Sequence, residues 1–271
     1  MVSIARAYLV LNQGNIEGAI QVLNACLESS AEGTPEWAPM DQYLWRHTMA
    51  MSHARQGNVE RVLHHHYRNV AILEEISEPA PLAVTLHNLC AALASVNAWE
   101  EAYDQAVSSN TIAMTLDNPV LQRRSEINVA LCARFLGRLD EAREIIERIA
   151  RRPWSEPGSD FALAINAAEL YTQLALFREA EGYLERARQI ASTSQDAYQL
   201  TNVDWVGGLL AARQARLSEA IRLLEQGVSR RNDLKQLHIE ILPRMMEELA
   251  QCYAAQADHQ RAFITHRLFH E

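Results

Sequence analysis

The sequence lacks the long apolar runs that membrane-spanning segments require. No stretch of about 18 apolar residues occurs, so no membrane span is expected in these 271 residues. The first residues enter a helical pattern directly, without the basic, apolar and cleavable layout of a signal peptide. Only 10 glycines, 8 prolines and 7% aromatic residues are present, whereas the strong helix formers Ala, Leu, Glu, Gln and Arg dominate. We therefore expect an all-α protein.

Cysteine is also scarce. Cys26, Cys90, Cys132 and Cys252 stand far apart, each within a helical pattern. The absence of a Cys-x-x-Cys motif excludes a zinc site of that type. We interpret the four as small buried residues of a reduced compartment rather than as a disulfide set. This interpretation predicts a cytoplasmic protein.

Motifs for catalysis and phosphate binding are missing as well. The chain has no Gly-x-Ser-x-Gly, no glycine-rich phosphate loop and no His-Glu-x-x-His. Adjacent carboxylates such as Glu247 and Glu248 point to diverging helix faces, and we interpret them as solvated. The net charge of −9 is spread without a basic block, which disfavours nucleic acid as a partner. We predict a protein that is not an enzyme, uses no cofactor and binds neither nucleic acid nor membrane.

The chain does contain a short phrase that recurs about every 40 residues. A small residue is followed five positions later by an anchor, which is alanine in most copies and begins an apolar stripe. The first copy runs from Gly14 to Ala19. The anchors lie 38 to 43 residues apart, at Ala19, Val62, Ala102, Ala142, Ala180, Ala220 and Ala262. A period of this size predicts stacked helix pairs.

Apolar residues follow the anchors at helical spacing. Behind Ala142 they are Ile145, Ile146 and Ile149, which form one buried helix face. A second small residue precedes each anchor by twelve positions, and the helices of a pair are expected to cross at these small residues. Breaker residues separate the pairs. Seven repeats, or about fourteen helices, result, near 1–30, 36–76, 80–116, 120–152, 159–192, 196–231 and 235–271.

The spacing of small residues, the aromatic residue before the turn and the phrase Asp140-Glu141-Ala142 resemble the tetratricopeptide repeat (TPR). The period is near 40 rather than about 34, so the chain is similar to the longer-helix branch seen in bacterial regulators such as peptide-pheromone receptors. The resemblance covers nearly the whole chain. It implies one right-handed α-solenoid domain over residues 1–271, with the first helix of each pair on the concave side.

Three asparagines occupy equivalent positions on these first helices. Asn88, Asn128 and Asn166 each lie fourteen residues before their anchors. An asparagine amide offers both a donor and an acceptor, so a row of them can clamp the backbone of an extended peptide. The resemblance implies this role, because asparagine at this place does so in peptide-binding TPR proteins. The alternative is that the three amides bond to neighbouring helices or within their own turns.

Other polar and aromatic residues should share the concave side. Arg124 and Arg134 are candidates for binding a ligand carboxylate, and Trp205 is a candidate apolar anchor. The alternatives are ion pairs between repeats for the arginines and ordinary packing for the tryptophan. The remaining candidates are Glu169, Thr172, Gln173, Asn202 and Arg213.

The histidines raise the question of a metal site. His64, His65 and His66 are consecutive, but successive helix residues point about 100° apart. A site would therefore need one of the three together with His53 from the preceding helix. No cysteine or carboxylate stands at ligand spacing. We interpret these histidines as structural and predict no metal.

The C-terminal segment begins a seventh second helix and stops without a cap, so we expect the chain to be part of a longer protein. Residues 262–271 resemble the last TPR helix before a GGDEF diguanylate cyclase domain in bacterial signalling proteins. The resulting hypothesis is a sensory or regulatory TPR module that binds a protein or peptide and controls an output domain. The alternative is a free-standing scaffold or co-chaperone-like adaptor. A homodimer through the terminal repeats is a further expectation.

Overall fold

A computed structural model describes residues 2–28, 37–152, 157–234 and 241–270. These residues form fourteen α-helices and one short 3-10 helix, and no strand occurs among them. The all-α repeat class predicted from the period is confirmed. The helices are α1 (Val2–Asn12), α2 (Ile16–Glu28), α3 (Pro39–Arg55), α4 (Val59–Glu75), α5 (Pro79–Ser95), α6 (Trp99–Thr115), α7 (Pro119–Phe135), α8 (Leu139–Ala150), α9 (Pro157–Gln173), α10 (Phe177–Ser194), α11 (Ala197–Arg213), α12 (Leu217–Ser229), the 3-10 helix (Arg230–Asn232), α13 (Ile241–Ala255) and α14 (His259–His270).

The chain divides into two compact units, Met1–Leu136 (unit 1) and Gly137–Glu271 (unit 2). Odd-numbered helices are the first helices of the repeats and even-numbered helices are the second ones. In unit 1 each helix packs on the next along the chain, and α1 also contacts α3 while α5 contacts α7. In unit 2 the helices again pack in chain order, and the first helices α9, α11 and α13 contact one another in sequence. None of the described helices combines the length and the hydropathy of a transmembrane segment.

Small residues mark the crossings of paired helices within each unit. The anchors Ala19, Ala102, Ala180 and Ala220 have no exposed surface. In α11 the small residue is Gly208, where an added Cβ would stand 2.7 Å from Cγ of Leu224. Even an alanine would therefore push α11 and α12 apart. The helix backbones approach closely because no larger side chain stands between them.

The turn inside each repeat contains one residue in the left-handed conformation, five positions before the anchor. The turn between α3 and α4 shows the hydrogen-bond pattern typical of such helix ends. Gly57 N–H donates to Ala54 O at 3.1 Å, and Asn58 N–H donates to His53 O at 3.0 Å. A positive φ favours glycine, which has no Cβ. The seven residues are Gly14, Gly57, Asn97, Gly137, Ala175, Ala215 and Ala257, with φ between 56° and 86°. The glycine of the repeated phrase thus reflects backbone geometry rather than packing.

Replacing Gly14 with alanine is expected to lower the free energy of unfolding by about 1 kcal/mol. The new methyl group would meet no atom within 4 Å, so only the backbone conformation is penalised. The converse change, Ala215→Gly, is expected to raise the free energy of unfolding by about 1 kcal/mol. Urea unfolding combined with amide hydrogen exchange measures both effects and assigns each to its unit.

Ala5→Gly, at an exposed position inside α1, is the matched control, and it should lower the stability by about 1 kcal/mol. If Ala215→Gly destabilises the chain as Ala5→Gly does, then Ala215 is not left-handed.

Candidate ligand-binding site

A cavity of about 290 Å³ opens between the first helices of unit 2. Trp205, Leu209 and Arg213 line it from α11 at intervals of four residues, which places them on one helix face. All ten lining residues belong to α9, α11 or α13. They are Glu169, Thr172, Gln173, Trp205, Leu209, Arg213, Arg244, Glu247, Glu248 and Gln251.

Three buried side chains line the cavity between its charged groups. Trp205, Leu209 and Thr172 are at most 5% exposed, and Thr172 Oγ1 donates to Ala168 O at 2.7 Å. The indole Nε1 of Trp205 is buried and has no hydrogen-bond partner among the described residues. Buried donors are nearly always paired. This N–H is thus unsatisfied in the part of the chain that the structure describes.

One ion pair joins α9 to α13 at the cavity. Arg244 Nη2 donates to Glu169 Oε1, although the two residues are 75 positions apart. The same guanidinium lies over the Trp205 ring, 4.8 Å from its centroid. The Glu169 side chain is 7% exposed and that of Arg244 is 37% exposed. Arg244 is therefore held both by a buried carboxylate and by an aromatic face.

A second ion pair joins α11 to α13. Arg213 donates from Nη1 and Nη2 to the two carboxylate oxygens of Glu248, at 2.7 and 3.2 Å. This two-pronged geometry fixes the plane of the guanidinium. The Arg213 side chain remains 48% exposed, and a guanidinium has five N–H donors. Arg213 can thus hold Glu248 and still donate to a ligand.

The cavity carries more negative than positive charge. Three carboxylates and two guanidinium groups line it, so its net charge is −1 when all five are ionised. The exposed carboxylate of Glu247 forms no ion pair within the described residues, whereas Glu169 and Glu248 each face an arginine. A cationic group on a ligand can therefore approach Glu247 without breaking an existing pair.

The structure brings together some of the predicted site residues of unit 2 and not others. Glu169, Gln173, Trp205 and Arg213 line one cavity together with Thr172. Asn166 and Asn202 are absent from its walls. Their amide nitrogens donate within their own helices, to Ala162 O at 2.8 Å and Tyr198 O at 2.9 Å. These bonds follow the alternative that was left open for the asparagines, and the peptide clamp at Asn166 stays a prediction.

Sequence reasoning missed the contribution of α13, which supplies Arg244, Glu247, Glu248 and Gln251. The signal was present, because Glu248 lies fourteen residues before Ala262. This is the same register as Asn88, Asn128 and Asn166. The interpretation of Glu248 as solvated was wrong. The residue is only 7% exposed, because its face of α13 borders the cavity and Arg213 balances its charge.

The predicted residues of unit 1 lie on α5 and α7. Asn128 Nδ2 lies 3.1 Å from His87 Nδ1, and Asn88 is half-buried on α5. Burial, and then the charge of the exposed Arg124, lower the pKa of His87 to about 4. Arg124 and Asn128 thus flank the same imidazole.

Arg134 is placed differently from Arg124. It is 4% exposed, and its guanidinium lies 4.3 Å from the centroid of the Phe135 ring. Phe135 in turn stacks on Trp99 at 3.8 Å. Arg134 is therefore buried against an aromatic ring, whereas the sequence suggested a residue presented to a ligand.

The histidines form a buried cluster between α3 and α4. His53 and His65 stack with ring centroids 5.8 Å apart, and Trp45 meets His65 edge-on at 5.7 Å. His53, His65 and His66 are between 2% and 7% exposed. Among the described residues, no three His, Cys, Asp or Glu side chains are arranged to hold a metal ion. These side chains are buried because they pack against one another and against Trp45.

Acid is expected to destabilise unit 1 through this cluster. Burial, and then the neighbouring His47, lower the pKa of His66 to about 4, and burial lowers the pKa of His65 to about 4. The unfolded value is about 6.5. The unfolded chain therefore takes up protons first, so stability is fully present above about pH 6.5 and is lost as the pH falls to about 4.

Between pH 7 and pH 5 we expect His66 alone to lower the free energy of unfolding by on the order of 2 kcal/mol. Urea unfolding across this range measures the loss. His66→Phe should flatten the profile, whereas His64→Gln, which changes an exposed neighbour, should leave it unchanged. Equal slopes for both variants and the parent would show that His66 does not cause the acid sensitivity.

The architecture was compared with those of known proteins. No protein-family model matches the chain, and no curated protein sequence does so either. Among solved structures, the apo form of RapI gives a TM-score of 0.75 at 14% identity, over 98% of this chain and 94% of that one. NprR in complex with its cognate peptide NprX gives 0.74 at 14% identity, over 98% and 76%.

A putative kinesin light chain from Podosopora anserina, described as having nearly identical TPR-like repeats, gives a TM-score of 0.57 at 20% identity, over 72% of this chain and 95% of that one. Identities this low establish likeness of fold and nothing finer. The chain therefore has the tetratricopeptide-like repeat fold, as the resemblance in its sequence implied.

Proposed function

We propose that this chain is a non-catalytic module that binds a peptide, or an extended protein segment, at the cavity of unit 2. The observation that carries the proposal is the convergence of charged, amide and aromatic side chains from α9, α11 and α13 on one cavity. Partly buried ion pairs such as Arg244 with Glu169 add little net stability, because the desolvation of the buried carboxylate opposes them. Their presence is better explained by recognition than by the demands of the fold.

The chemistry of the walls suits an extended backbone. The amides of Gln173 and Gln251 can each donate and accept, and Arg213 has donors left for a carbonyl. Trp205 and Leu209 offer an apolar surface to one ligand side chain. The net negative charge and Glu247 favour a basic group on the ligand. The cavity volume of about 290 Å³ fits a short segment at a time, with the rest of the ligand running along the first helices.

Structures of the same fold support this proposal. NprR has been solved with its cognate peptide, and the Rap conjugation regulator of plasmid pLS20 has been solved with the Phr* peptide. We propose separately that the amides of Asn88, Asn128 and Asn166 hold a peptide backbone, since each offers a donor and an acceptor.

We propose further that the module is the sensory or regulatory part of a cytoplasmic bacterial signalling protein. The resemblance of residues 262–271 to the helix that precedes a GGDEF domain supports a diguanylate cyclase as the output. The gene sequence following the Glu271 codon tests this directly. If that coding region lacks a cyclase domain, a covalently attached cyclase output is excluded and the adaptor alternative is favoured.

Peptides selected on the purified chain from a random dodecapeptide display library are expected to bind at the cavity. Fluorescence anisotropy with a labelled selected peptide should show weaker binding for Gln173→Ala and for Glu247→Gln. Each of these two residues is exposed, so the fold should tolerate the changes. For Glu247→Gln we expect a loss of about two- to fivefold, the size of an exposed ion pair of about 0.5–1 kcal/mol, and only with peptides that contain a basic residue.

Glu144→Gln is the matched control, because Glu144 is an exposed glutamate on the second helix α8. It should bind as the parent does. Equal affinity of the parent, Gln173→Ala and Glu247→Gln for every selected peptide would locate binding elsewhere and defeat the proposal.

A further inference from the structure

Two cysteines that are far apart in the sequence meet in unit 1. Sγ of Cys90 in α5 lies 3.8 Å from Sγ of Cys132 in α7. The two side chains are 1% and 0% exposed. They meet because the first helices α5 and α7 pack directly on each other. Cys90, Cys132 and Cys252 are buried free thiols, as the sequence predicted, whereas Cys26 is only half-buried. The sequence did not predict the contact between Cys90 and Cys132.

The separation is that of two thiols in contact. A disulfide bond is about 2.05 Å long, so the sulfur atoms must approach by roughly 2 Å. Rotation about the Cα–Cβ bonds supplies movement of this order without unfolding either helix. No backbone segment has to cross between the two sulfurs, since they already touch.

We propose that Cys90 and Cys132 are an oxidisable thiol pair that closes to a disulfide and ties α5 to α7. The co-reactant is a small hydroperoxide such as hydrogen peroxide. The Cys132 thiol loses its proton, its sulfur attacks one peroxide oxygen, and the O–O bond breaks to give a sulfenic acid. The departing hydroxide takes up the proton and leaves as water. The sulfur of Cys90 then attacks the sulfenic sulfur and loses its proton, and a second water leaves. In total, two thiols are oxidised and one peroxide is reduced to two waters.

The surroundings distinguish the two sulfurs. The hydrogen bond from the Cys90 thiol lowers the pKa of Cys132, against the effect of burial. The same hydrogen bond, followed by burial, raises the pKa of Cys90. Cys132 is therefore the sulfur that ionises first, and thiolates are the reactive form. Cys90 is placed to resolve the sulfenic acid before further oxidation.

The pair also lies near two polar residues of unit 1, Asn128 and His87. The Asn128 side chain lies close enough to Cys90 to lower the pKa of that thiol, and its nitrogen lies 3.1 Å from His87 Nδ1. Closing the disulfide replaces the Cys90 thiol near Asn128 with a bonded sulfur that carries no proton. The redox state of the pair thereby changes the chemical group near Asn128. The cavity in unit 2 contains neither cysteine.

The test is oxidation of the reduced, full-length chain by hydrogen peroxide, followed by alkylation with N-ethylmaleimide in denaturant and peptide mapping by mass spectrometry. We expect two of the four thiols to disappear, with a cross-linked peptide containing Cys90 and Cys132. Cys26 and Cys252 should be alkylated. Dithiothreitol should restore all four thiols.

Three control experiments accompany this test. Cys252→Ala removes another buried cysteine and should leave the cross-link unchanged. Cys132→Ala should abolish it, with circular dichroism confirming that the helices remain. Oxidation of the urea-unfolded chain should give mixed pairings rather than this one, because the folded structure selects the partners.

Two outcomes would overturn the proposal. One is recovery of Cys90 and Cys132 as alkylated or singly oxidised residues from the folded chain under the conditions in which the urea-unfolded chain forms disulfides. The other is zinc retained by the purified chain at these thiols, which would make the pair a metal site instead.

Discussion

The close approach of two helix backbones at each small-residue crossing is the constraint on which the structure depends. Fully buried anchors such as Ala19 and Ala220 allow this approach, and a left-handed residue five positions earlier closes the turn. Since both features recur at a fixed spacing, every first helix presents the same sequence positions to its neighbours. Polar residues placed at those positions in successive repeats must then converge, as they do in unit 2.

Convergence explains why the cavity residues are held so firmly. Arg213 reaches Glu248 in the next first helix, and Arg244 reaches Glu169 two first helices back. Each pair fixes a guanidinium in a direction that ordinary apolar packing would leave open. The stability of the repeat comes from the alanine crossings and apolar stripes. The ion pairs can therefore be shaped for recognition without endangering the fold.

The period predicted the helix pairs, and the resemblance to the tetratricopeptide repeat led to five residues that line the cavity. It could not predict partners, because a helical pattern tells which face a residue occupies but not what stands opposite. Arg244 and Glu169 are 75 residues apart, and nothing local links them. The same is true of Cys90 and Cys132. Adjacent carboxylates on a helix do diverge, but Glu247 and Glu248 both line the cavity, and Glu248 is the one that is buried there.

The contact between successive repeats differs in kind between the two units. Seven residues after the anchor, unit 1 places Asn69, which is fully buried, and Ser109, whose Oγ bonds Ser125 Oγ and Ala83 O at 2.8 Å. Neither polar atom of the Asn69 side chain has a hydrogen-bond partner among the described residues, which costs stability.

At the same register unit 2 has Ile149, Ala187 and Gly227, and an added Cβ at Gly227 would meet Met245 Sδ at 3.2 Å. Apolar contacts of this kind do not respond to protons or oxidants, whereas thiols, imidazoles and unsatisfied amides do. At this register the same repeat thus gives unit 2 apolar contacts and unit 1 buried polar groups.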